Sequence, residues 1–101
     1  MKQVILTKYG PPEVLQVKEF DNPQPKSNEI RIKVHYAGIN FAEIMARMKL
    51  YPGGPKPGSV LGGEVSGVVD KIGKDIKDIK VGQNVIGLSM KGSYTSHVCL
   101  E

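Results

Sequence analysis

The sequence predicts a mainly β domain, a partly open barrel with one short helix near residues 40–49. Three observations lead there. Six or more short β-type runs are separated by turns rich in Gly and Pro. In Glu29 to Ala37 the apolar residues fall at 30, 32, 34 and 36 and polar ones between them, the period of a strand with one face covered. One stretch alone, Asn40 onward, joins helical spacing to a start signal: Phe41, Ile44, Met45 and Met48 at i, i+3, i+4 and i+7 follow an Asn-x-x-Glu capping pattern.

In chain order, Val4 to Thr7 is a short strand closed by Gly10-Pro11-Pro12, and Val14 to Phe20 resumes as its antiparallel partner. Asp21 to Asn28 is a loop, because Pro23 and Pro25 each lack a ladder donor and restrict the residue before them. Residues 29–37 form the clearest strand, with His35 on its polar face beside Arg31 and Lys33. Gly38 frees the backbone to turn, and Asn40 takes the N-cap position with Glu43 as the third helical residue. Tyr51 to Ser59 holds three Pro and three Gly and reads as a mobile surface loop. Val65, Val68 and Val69 favour a strand in which Gly67 marks a bulge or close contact. Lys71 to Val81 has Ile72, Ile76 and Ile79 at helical spacing but is too short for more than one helical turn. Strands at 84–88 and 93–100 complete the set. His35 reads as exposed with no Ser, Cys or carboxylate beside it, His97 is likewise read as exposed rather than catalytic, and Glu64 reads as a structural carboxylate satisfied by a backbone or basic partner.

Length and charge narrow the function. A chain of 101 residues is one domain, large enough to bury a core without staples. Cys99 is the only cysteine, so there is no internal disulfide; with no apolar N-terminal run, a cytoplasmic location is the expectation. The net charge of +4 comes from 14 basic and 10 acidic residues. The one dense basic segment, Lys71 to Lys80, is interleaved with Asp75 and Asp78, and phosphate binding needs an uncompensated stripe. No nucleic-acid partner is expected. No basic amphipathic helix points to a membrane either.

Gly38-Ile39-Asn40-Phe41-Ala42-Glu43, followed by Arg47 and Leu50-Tyr51, resembles the signature segment of zinc-independent medium-chain dehydrogenase/reductases of the quinone oxidoreductase type, nearest to the vesicle amine transport protein branch. Leu61 to Val69 is similar to the family's Gly-x-Glu-x-x-Gly-x-Val segment, Lys80 to Val85 to its Gly-Asp-Arg-Val turn, and Gly92 to Ser96 to its Gly-x-Tyr strand. Gln83-Asn84 replaces the usual Asp-Arg pair there, and Glu43 replaces a commoner Asp. The likeness covers essentially the whole chain and implies a GroES-like fold. Zinc-dependent relatives carry a cysteine where this chain has Asn40 and a histidine where it has Gly63; neither replacement is a zinc ligand, so no metal is expected.

The resemblance implies hydride transfer from NADPH to a quinone or enone, with Asn40 and Tyr51 as the catalytic residues. Asn40 and Phe41 would lie toward the cofactor, and Glu43 and Tyr51 toward the substrate. Residue types alone explain Asn40 and Glu43 equally well as a helix cap and Tyr51 as a loop aromatic. No glycine-rich phosphate loop or βαβ unit occurs in residues 1–101, so the Rossmann cofactor domain is expected to lie outside this chain. The expectation is therefore an N-terminal fragment, inactive and possibly monomeric alone, of a parent enzyme that is a homodimer. The competing reading is a stand-alone binding or co-chaperonin-like domain, whose mobile loop residues 51–59 would imitate.

Overall fold

The computed structural model describes all 101 residues. The elements are β1 (Lys2–Leu6), a 3-10 turn (Pro12–Val14), β2 (Leu15–Glu19), β3 (Ile30–Ala37), α1 (Phe41–Arg47), β4 (Glu64–Ile72), β5 (Asn84–Leu88) and β6 (His97–Leu100). β1 and β2 form an antiparallel pair, and the other strands form an antiparallel sheet in the order β5-β4-β3-β6. Isolated bridges from Gln3 to Thr95 and from Ile5 to Val60 connect β1 to the rest of the chain, leaving the barrel partly open. No helix is long and apolar enough to cross a membrane.

The core has two parts. Ile30, Ile32, Val65, Val69 and Val98 pack on one face of the four-stranded sheet. The spacing of two along β3 and β4 puts them there. Ile72, at the end of β4, and Ile76 and Ile79, in the run of turns that follows, close the edge of this cluster where sequence spacing predicted a helical turn. Leu6, Val14, Ala46 and Leu61 make the second cluster and seat the helix on β1.

Several expectations need correction. The 93–100 strand is shorter, starting at His97, because residues 93–96 bond individually to Lys2, Val4, Val34 and Leu61 rather than to one partner strand. The period of two in β3 fails at its end: the register shifts between Val34 and Tyr36, so one extra residue, His35, is accommodated and Tyr36 is left 77% exposed. His35 is exposed as expected, but His97 is not. Its side chain is 15% exposed with Nε2 3.5 Å from the Asp70 carboxylate, which also holds the Arg31 Nε at 2.8 Å. Finally, the 51–59 loop is tied to its surroundings: Gly58 N–H donates to the Leu6 carbonyl, Leu6 N–H to Ser59, and the Tyr9 hydroxyl to Pro55.

Gly67 is the close contact its position predicted. It lies opposite Val34, and a Cβ there would run into the backbone carbonyl of Lys33.

Candidate active site

The end of β3 and the start of β4 meet where Gly38 N–H donates to the Glu64 carbonyl at 3.2 Å. Two residues on, the chain enters α1 with Asn40 in extended backbone geometry as N-cap. The Glu43 carboxylate accepts the Asn40 backbone N–H at 3.0 Å, its half of the capping box that the sequence spacing predicted. The Asn40 side chain does more than a cap requires. Its Nδ2 donates to Glu64 Oε1 at 3.1 Å, across 24 residues of sequence.

The helix is anchored differently from what its apolar spacing implied. Ala46 is its one buried residue, whereas Phe41, Ile44 and Met48 are 72%, 40% and 48% exposed. Ala46 is the helix residue that packs with Leu6, Val14 and Leu61, and the large residues turn outward from that cluster. Reciprocal bonds between Gly10 and Arg47, N–H to carbonyl in one direction and guanidinium to carbonyl in the other, fix the last turn.

Two open clefts are lined by the partners of Asn40, which itself lines neither. One, of about 260 Å³, is walled by Glu43, Ala46, Tyr51, Leu61, Gly63 and Met90 among others. The other, of about 570 Å³, runs along the sheet past Tyr36, Gly38, Glu64, Ile86 and Leu88. The larger is a groove over exposed apolar side chains. The smaller brings Glu43 and Tyr51 together. Asn40 joins the clefts, bonding to Glu43 of one and Glu64 of the other. Phe41 is exposed and lines neither cleft.

Sequence reasoning missed two members of the site. Glu64 has neither the backbone nor the basic partner expected of it; it is exposed and bonded to the Asn40 amide. The Tyr94 hydroxyl donates to Glu43 Oε1 at 3.4 Å, and burial, helped by the charge of Glu43 and by this bond, pushes the phenol up to about 12. Tyr94 therefore stays protonated and donating at neutral pH. The signals were the Gly-x-Glu and Gly-x-Tyr segments, but only the fold brings them to the helix cap.

Two carboxylates, an amide and phenols gather here without a thiolate or imidazole, and no three His, Cys, Asp or Glu side chains anywhere in the chain are close enough to hold a metal. Cys99 lies buried on β6 with its thiol pushed up by burial, apart from both clefts.

Comparison with known proteins gives the site a context. Residues 26–101 match the alcohol dehydrogenase GroES-like domain. Quinone oxidoreductase 1 of Escherichia coli is 43% identical over 90 residues, which cover 88% of this chain and 27% of that protein. The synaptic vesicle membrane protein VAT-1 homolog of Danio rerio is 39% identical over 95 residues, 92% of this chain and 19% of that protein. Among solved structures, E. coli quinone oxidoreductase complexed with NADPH superposes with a TM-score of 0.88 at 39% identity, over 99% of this chain and 31% of that one. The human VAT-1 homolog-like protein superposes at 0.92 with 29% identity, over 99% and 32%. The chain thus spans about a quarter of the length of the quinone oxidoreductase and about a fifth of that of the VAT-1 homolog.

Proposed function

Since the chain belongs to the alcohol dehydrogenase GroES-like domain family, we propose that it is the substrate domain of an NADPH-dependent, zinc-independent quinone or enone reductase. The observation that carries this reading is the helix-cap cluster, in which Asn40, Glu43 and Glu64 meet between two clefts. The likeness to quinone oxidoreductases supports the substrate class.

NADPH, when bound, supplies a hydride to a quinone ring or an enone β-carbon, and a proton from solvent completes the two-electron reduction. This chain's own residues place and polarise the acceptor. The second Nδ2 hydrogen of Asn40 and the hydroxyl of Tyr51 are donors for the carbonyl oxygen on which negative charge develops. Glu43, kept in place by Tyr94 and by the Asn40 backbone, forms the substrate-side wall with Tyr51. Phe41, beside Asn40 and open to solvent, faces the cofactor side, covered once the cofactor-binding part of the longer polypeptide is present. That part also covers the groove at Tyr36, Ile86 and Leu88, and the enzyme acts in the cytoplasm as a homodimer.

The test is steady-state reduction of a benzoquinone or an enone with NADPH by the full-length protein that carries this domain, after exhaustive chelation. Turnover that survives chelation and falls on Asn40→Ala supports the proposal. Turnover that disappears with chelation and returns with zinc sinks it.

A further inference from the structure

We propose that Glu64 is the positioning residue for Asn40, holding its side-chain amide in the orientation the reaction uses. This rests on the reading of Asn40 as a donor to the substrate. Three observations converge on Glu64. Its carboxylate accepts from Asn40 Nδ2 at 3.1 Å. No Lys, Arg or His of this chain pairs with it; the ion pairs present are Arg31–Asp70, Lys91–Glu29 and His97–Asp70. Its side chain lies over Gly38, where a Cβ would land on the Glu64 carboxylate.

The chemistry follows from what an ionised carboxylate can do. It only accepts, so it decides which end of the amide turns toward it: the NH₂ group points to Glu64 with one hydrogen engaged, and the second remains for a ligand. Asn40 needs such a guide. It is exposed, and while the capping box turns its side-chain oxygen to the Glu43 backbone N–H, only Glu64 holds the NH₂ end. The backbone is already fixed by Glu43, and Glu64 fixes the side chain, so the two carboxylates together leave Asn40 one productive arrangement. Gly38 is part of the device, because the absence of a side chain gives Glu64 its place.

The test has two readouts. In the 101-residue chain, the Asn40 side-chain amide proton that bonds Glu64 lies downfield of a free asparagine's in a ¹⁵N-correlated NMR spectrum, and Glu64→Ala returns it to the free value while the backbone spectrum stays folded. Gly38→Ala, which displaces the carboxylate without removing it, has the same effect on Asn40. In the full-length protein, Glu64→Ala lowers kcat by roughly 10- to 100-fold with little change in the quinone KM. Glu64→Gln, which retains an acceptor, recovers part of the rate. The Asn40→Ala/Glu64→Ala double variant is as slow as Asn40→Ala alone. An unchanged Asn40 amide in Glu64→Ala overturns the proposal, as do losses that multiply in the double variant. If Asn40→Ala itself leaves the rate unchanged, the catalytic reading of Asn40 has failed; if Asn40→Ala is slow but the losses multiply, only the positioning role has.

Discussion

Each residue at the helix cap serves two neighbours. Asn40 starts α1 and also reaches β4, and Glu43 closes the capping box while holding the Tyr94 hydroxyl. If Asn40 and Tyr51 polarise the substrate oxygen, Asn40→Ala and Tyr51→Phe in the full-length enzyme each lower kcat by about 10²-fold, the loss expected for one donor to a developing oxyanion, while leaving the melting temperature of the Tyr51 variant unchanged. Away from the site, His97 governs acid stability. Burial holds its imidazole below the ordinary 6.5; the Asp70 carboxylate opposes this, and the charges of Arg31, the N-terminus and Lys33 add to it. The unfolded state therefore binds a proton first as pH falls, so this contribution is complete above pH 6.5 and is lost on acidification through the lower folded value. Glu29 acts the same way further down: the Lys26 N–H and the Lys91 ammonium hold its carboxyl below 4.5, and stability present above that value is lost beneath it. Urea midpoints measured against pH show two successive losses in the wild type, and His97→Gln removes the one that begins near pH 6.5. A variant curve that still falls there assigns the loss to another group.

At the scale of elements, the sequence located the strands and the helix because each has its own period and its own punctuation. Residues 29–37 alternate, Asn40 and Glu43 mark the helix start, and Pro and Gly stop everything else. What it did not reveal are features set by contact between distant segments. The bulge at His35 depends on where β4 registers, and the outward turn of Phe41, Ile44 and Met48 depends on Ala46 being the helix residue that meets Leu6 and Leu61. The link from Asn40 to Glu64 belongs to the same class, as does the burial of His97 by strands 27 and more residues away. Gly67 is the exception, legible in advance because a lone glycine among valines has few other reasons to be there. Its test is Gly67→Ala, which forces the β3–β4 backbones apart at Lys33 and costs about 2 kcal/mol or more, a fall in melting temperature of about 10 °C. A variant that melts with the wild type contradicts the close approach.

The whole molecule has more surface than its mass calls for. A complete folded monomer of 11.0 kDa exposes about 5,600 Å², whereas this chain exposes 6535 Å². Much of the excess is apolar: Tyr36, Ile86, Leu88 and Met90 on the sheet side and Ile39, Phe41 and Leu50 around the helix are each more than half exposed. Such a surface suits a domain that is covered by more polypeptide, in keeping with the chain's 31% share of the E. coli quinone oxidoreductase structure. The isolated 101 residues accordingly fold but show no NADPH-dependent quinone turnover above buffer; turnover by this chain alone would overturn the division of labour between substrate and cofactor domains. The most direct test of the central claim is the rate of quinone reduction by the full-length protein, metal-free, with Asn40 intact and with Asn40→Ala. The account predicts zinc-free turnover that drops by about 10²-fold in the variant. Zinc-free protein that is inactive until metal is restored, or an Asn40→Ala enzyme as fast as the wild type, would contradict it.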